Sequence, residues 1–300
     1  MLKRLTVVMA VMVMVGLLMG GAGVSKAWAM HGKARHQKQA ILMVAFGTSV
    51  PQAQKAFQIV DERVKEAFPG VEVRWAYTSG VIRKKLAARG TSIDSPEMAL
   101  ARLMDDGFTQ VAVCSLHTIP GEEFHELYGN VRLFAQMAGG FDRVSVARPL
   151  LSSYEDMTRG VTALLDQVPA DRKPADAVIF MGHGSGHHPA DAVYTAMDAL
   201  FQKADPNAFL ATVEGHPTLQ DVIPILKARK ITRAYLVPLM LVAGDHARND
   251  MAGDEPDSWK SVLKAQGIQA VPVLRGTAEI SQVVDVWLDH LRQVLRAPKE

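Results

Sequence analysis

From Ala40 onward, short apolar runs alternate with segments whose apolar residues recur at helical spacing. Ile41–Phe46 is continuously apolar, the pattern of a strand buried on both faces of a parallel sheet. Ala53–Phe68 has helical spacing, Val71–Tyr77 is strand-like, and Val81–Arg89 and Pro96–Asp106 are helical. Val111–Leu116 and Val144–Ala147 add strands, with a helix over Gly121–Met137 between them. The pattern then restarts, with strands at Ala177–Met181, Phe209–Val213, Ala234–Leu241 and Ala270–Leu274. Helices are predicted over Ala190–Lys203, Thr218–Lys230, Asp257–Gln266 and Ala278–Leu295. Strand–helix alternation of this kind predicts parallel sheets covered on both faces. The expected fold is α/β, with two similar domains over 40–170 and 171–300, each a four-stranded parallel sheet flanked by helices.

The restart carries a repeated motif. Phe46-Gly47-Thr48-Ser49 matches Met181-Gly182-His183-Gly184, and Tyr77-Thr78-Ser79-Gly80 matches Thr212-Val213-Glu214-Gly215. Gly121-Glu122-Glu123 and Gly244-Asp245-His246 follow the third strands. The halves therefore read as an internal duplication whose strand ends have diverged. On this match Thr48, Ser79 and Glu123 occupy the places of His183, Glu214 and His246.

The first 29 residues change the charge picture. Lys3 and Arg4 precede an uncharged run over Leu5–Val24, followed by Ala27-Trp28-Ala29. A basic start, an apolar stretch and small residues at a cleavage site read as a secretory signal peptide, which places the mature protein in the periplasm. Residues 30–39 read as a polar leader. Without Lys3, Arg4 and Lys26 the chain keeps 30 basic and 31 acidic residues, so its apparent basicity belongs to the export signal. No basic block points to nucleic acid, and no membrane span is expected once the signal is removed. The single cysteine, Cys114, allows no intrachain disulfide and lies in an apolar run, as a core thiol does.

In open α/β sheets ligands bind beyond the carboxyl ends of the strands. That rule selects His183, Glu214 and His246, which follow three strands of the second half. Two imidazoles and a carboxylate suit a borderline divalent metal. The glycine-rich turn Gly182–His188 lacks the Lys-Ser/Thr of a phosphate loop and the Gly-x-Ser-x-Gly of a nucleophile elbow. Glu214 also has an alternative role, capping the helix that follows it. His290 lies on the last amphipathic helix, as a structural residue does.

Leu42–Ser49, Leu116–Phe124, Met181–Gly184, Val213–Gly215 and Gly244–His246 together resemble the class II chelatases, specifically the anaerobic sirohydrochlorin cobaltochelatases of the CbiK type. The resemblance covers residues 40–296. It implies a tetrapyrrole held between two α/β domains, metal-binding histidines at His183 and His246 with Glu214 nearby, and Co²⁺ or Fe²⁺ as substrate metal without a nucleotide. Sirohydrochlorin is the implied partner. Its carboxylates call for cationic and hydroxyl groups, with Arg83, Lys84, Arg248, Ser49, Thr48 and Ser79 as candidates. Export departs from the family's usual cytoplasmic setting. It leaves a second reading, a periplasmic metal or haem carrier on a chelatase fold. His125, at the start of a predicted helix, is the candidate axial haem ligand, which two subunits of a homo-oligomer would share.

Overall fold

The computed structural model describes residues 35–296. The expected signal peptide and the first part of the leader lie outside the described residues. Residues from Lys38 onward form one compact unit; of the unit before it only 35–37 are described, without regular structure. No helix among the described residues is long and apolar enough to cross a membrane.

The first sheet contains β1 (Gln39–Ala45), β2 (Glu72–Tyr77), β3 (Gln110–Ser115) and β4 (Arg143–Ala147), in the order β2-β1-β3-β4. The second contains β5 (Ala177–Gly182), β6 (Ala208–Thr212), β7 (Arg233–Pro238) and β8 (Gln269–Pro272), in the order β6-β5-β7-β8. Every pairing is parallel. The helices are α1 (Lys55–Ala67), α2 (Gly80–Ala87), α3 (Pro96–Asp105), α4 (Glu122–Ala135), α5 (Tyr154–Leu165), α6 (Ala192–Ala204), α7 (Leu219–Ala228), α8 (Trp259–Ala265) and α9 (Ser281–Arg296). The fold is the duplicated α/β arrangement expected from the alternation.

Side chains alternate across each sheet, and the alternation sorts them into three cores. In β1, Ala40, Leu42 and Val44 face a core with α3 and α4, while Ile41, Met43 and Ala45 face a central core. In β5, Ala177, Ile179 and Met181 face a core with α7 and α8. Val178 and Phe180 join the same central core as Ile41 and Met43. The two sheets thus share one apolar layer.

Helix α5 was not among the predicted elements. Its buried face carries Asp156 and Gly160 beside Val161 and Leu164, which breaks the apolar spacing. Helix α9 returns to the first half and packs on β3, β4, α1 and α5. It is held there by polar contacts as well as by Val283, Val284 and Trp287. His290 Nε2 lies 3.0 Å from Asp156 Oδ1 and its Nδ1 lies 3.0 Å from the Arg148 carbonyl. Arg159 pairs with Asp289 at 2.8 Å. His290 is therefore a structural residue.

The sheet register defines how the halves correspond. Ala45 pairs with Tyr77 as Gly182 pairs with Thr212. Ser79 N–H donates to the Phe46 carbonyl as Glu214 N–H donates to the His183 carbonyl. Gly47 and Gly184, the next residues, both have positive φ. The counterpart of His183 is therefore Phe46, and the motif match that placed Thr48 there is two residues out of register. Matching on a shared Gly aligned Gly47 with Gly182, whereas the turn geometry aligns Gly47 with Gly184. Ser79 remains the counterpart of Glu214. Leu116 and Leu239 donate to Val44 and Met181 in the same way, and His125 and Arg248 to Gly121 and Gly244, which makes Glu123 the counterpart of His246.

Candidate metal site

His183 leaves the carboxyl end of β5 and its side chain is exposed. The strand must end in glycine here, because a Cβ on Gly182 would meet the Tyr194 ring at 2.7 Å. Burial against this turn pushes the Tyr194 phenol above its ordinary range, so it stays a neutral packing group. His183 Nδ1 lies 3.0 Å from the Gly184 carbonyl. A carbonyl only accepts, so Nδ1 carries the proton and the Nε2 lone pair is free.

His246 follows β7 and leads into a π-helical turn, Ala247–Met251. Such turns occur disproportionately at functional sites. The turn brings Asp250 under the imidazole, with Nδ1 2.5 Å from Asp250 Oδ2. The carboxylate accepts the Nδ1 proton, orients the ring and again leaves Nε2 free. The His183 and His246 rings lie 4.8 Å apart at 88°. Two imidazoles thus converge at one sheet edge with both outer nitrogens turned from these hydrogen bonds.

Glu214 is not gathered with them. Its backbone N–H is tied to the His183 carbonyl at 2.8 Å, but its side chain is exposed. Among the described residues no three His, Cys, Asp or Glu side chains form a group able to hold a metal. In this structure His183 and His246 stand together, and Glu214 is held beside them by its backbone.

The opposing edge carries His117, which the sequence reading did not single out, beside His125, Glu123 and Thr48, which it did. His117, just after β3, is nearly buried, with Nδ1 2.8 Å from Ser115 Oγ. Its Nε2 lies 3.3 Å from Glu123 Oε2, close but out of line for a hydrogen bond. His125, at the start of α4, is exposed, and its Nδ1 lies 2.9 Å from the Gly121 carbonyl, which leaves Nε2 free. Its ring lies 5.2 Å from that of His188 in the second half. On the other side, Thr48 Oγ1 lies within 4 Å of where a Cβ on Gly244 would stand. The carboxyl edges of the two sheets thus face each other, each touching the other's loops.

The substrate-binding candidates divide. Ser79 Oγ caps α2 by accepting from Ile82 N–H, and Thr48 is buried with Oγ1 accepting from Val50 N–H. Lys84 is exposed. Arg83 Nε is buried without a hydrogen-bond partner, and Arg248 Nε donates to the Ala243 carbonyl. Arg83, Lys84 and Arg248 are candidates with donors left for a carboxylate.

The family described as cobalt chelatase (CbiK) matches residues 39–296. The chain belongs to this cobalt chelatase family. One relative, the sirohydrochlorin cobaltochelatase CbiKC of Nitratidesulfovibrio vulgaris, is 45% identical over 260 residues, covering 87% of this chain and 92% of the relative. The sirohydrochlorin cobaltochelatase of Salmonella typhimurium is 38% identical, covering 88% and 98%. Among solved structures, SirB from Bacillus subtilis with Fe³⁺ is similar, with a TM-score of 0.58 at 19% identity over 87% of this chain and 96% of that one. CbiX, described as the terminal enzyme of sirohaem biosynthesis in denitrifying bacteria, has a TM-score of 0.53 at 19% identity, covering 85% and 98%. At that identity these two establish the shared fold. Membership of the family makes the chain a chelatase.

Proposed function

We propose that this chain inserts Co²⁺ into sirohydrochlorin without a nucleotide, releasing two protons. The relatives named as sirohydrochlorin cobaltochelatases support the substrate. The observation that carries the chemistry is the His183–His246 pair with both Nε2 lone pairs free. The metal is a substrate here, so its site must be open and only moderately tight; two imidazoles meet that need better than a closed four-ligand cage. As the ion passes to the macrocycle nitrogens, two pyrrole N–H protons must leave. A freed imidazole accepts one on the metal side, and Glu123, beside His117, offers a carboxylate on the other. Glu214 joins the ion by a side-chain rotation once metal is present. Fe²⁺ accepts the same donors and is the alternative metal.

The N-terminal 29 residues support export, with cleavage after Ala29 and action in the periplasm. On this reading residues 40–170 and 171–300 are two domains, the second carrying the metal site. One observation favours haem binding as a second role: His125 is exposed, its Nε2 is free, and Phe124 and Tyr128 flank it. These residues fit an axial imidazole ligand with aromatic neighbours, and the exposed Tyr128, Leu133 and Met137 suit a homo-oligomer contact. The deciding experiment mixes purified protein, sirohydrochlorin and Co²⁺ and follows the absorbance against the uncatalysed rate. Many turnovers per protein are expected. Capture of one equivalent without turnover would leave only the carrier reading.

A further inference from the structure

Phe46 has no structural reason to be where it is. It follows β1 directly, and 47% of it is exposed although Ala40–Ala45 behind it are wholly buried. Its backbone is well fixed. The carbonyl accepts from Ser79 N–H at 3.2 Å, and the next residue, Gly47, has φ +100 and sits on the Tyr77 ring. The ring is thus presented at a sheet edge rather than left loose.

The register correspondence says what it is presented to. Phe46 is the counterpart of His183 in the other half. The two carboxyl edges face each other, since His125 of the first half meets His188 of the second and Thr48 of the first approaches Gly244 of the second. Phe46 stands two residues from Thr48, on the same facing edge. Where one half carries a metal ligand, the other carries a broad apolar ring.

We propose that Phe46 is a binding residue for the tetrapyrrole, its ring lying against one face of the macrocycle while the metal arrives at the opposite face from His183 and His246. The inference rests on the chelatase reading given above. A conjugated macrocycle offers a wide π-surface, and an aromatic side chain in offset contact with it contributes beyond simple burial.

The test separates the macrocycle from the metal. Sirohydrochlorin is titrated, without metal, into wild type, Phe46→Ala and Phe46→Trp, and followed by its absorbance and fluorescence. Co²⁺ is titrated into the same proteins without sirohydrochlorin. Phe46→Ala is expected to weaken sirohydrochlorin binding and raise its KM by about 10-fold, with Co²⁺ affinity and thermal stability unchanged. Phe46→Trp is expected to restore binding. Wild-type sirohydrochlorin affinity in Phe46→Ala would overturn the proposal, as would an equal loss of Co²⁺ affinity. Wild-type protein that binds no sirohydrochlorin would overturn the functional reading itself, a different and recognisable failure.

Discussion

His246 and Asp250 stand one helical turn apart, and the carboxylate accepts a hydrogen bond from the imidazole's Nδ1–H at 2.5 Å. This contact fixes which nitrogen of His246 faces the cleft. Replacing Asp250 with Ala is expected to weaken Co²⁺ binding by roughly 10–100-fold, the usual cost of losing a carboxylate behind a ligating histidine. Asp250→Asn keeps an acceptor and should lose less. Calorimetric titration with Co²⁺ checks both, and equal affinity in all three proteins would remove Asp250 from the site.

The histidine pair makes a sharper prediction. His183→Ala and His246→Ala should each reduce metal insertion to about one-hundredth of wild type or lower. Neither side chain supports the core, so the melting temperature should hold. The measurement is initial rate at saturating sirohydrochlorin, beside a thermal melt.

Glu214 separates two geometries. If its side chain closes on the ion, Glu214→Gln should weaken Co²⁺ capture clearly, though less than loss of either histidine, because the backbone anchor to His183 remains. Co²⁺ absorption spectra report the change in ligand set. Identical spectra and rates would leave the metal to the two histidines.

The contact between His290 and Asp156 carries stability rather than catalysis. Both side chains are almost wholly buried, and each ring nitrogen of His290 faces an acceptor. His290→Ala leaves the Asp156 carboxylate without that partner in a dry site. The expected loss is about 3 kcal/mol in urea unfolding, with little change in insertion rate per folded molecule.

Cys114 should be inert in the folded protein. Burial pushes its thiol up to about 12, so almost no thiolate exists at neutral pH. Alkylating reagents are expected to modify it only after denaturation. In the folded state the thiol holds its proton to higher pH than in the unfolded chain. Its contribution is therefore complete below the unfolded value and is lost as the pH rises toward 12.

Most of the architecture was legible because buried parallel strands write themselves as continuous apolar runs, as β1 and β5 do. Helix α5 was not, because Asp156 and Gly160 on its inner face serve a histidine from the far end of the chain and close packing against Leu151. That His183 and His246 meet at one sheet edge was legible through the strand-end rule, which needs only the order of elements. Asp250 was not, since a π-helical turn has no sequence period that would place it under His246. His117 stood inside a recognised motif, but its role depends on Ser115 and Glu123 meeting across a loop. Phe46 was hidden by a misalignment of two residues: a shared glycine matched by identity, whereas backbone hydrogen bonds decide the true equivalence.

The return of α9 to the first sheet reaches beyond the folded state. The first half cannot cover its inner surface until its last helix exists, and that helix is the final 16-residue element of the chain. A nascent polypeptide whose residues 281–296 have not yet emerged therefore holds an uncovered sheet. If the leading segment directs export, as proposed above, late closure keeps the chain threadable, and the compact form arises only once residues 281–296 have arrived.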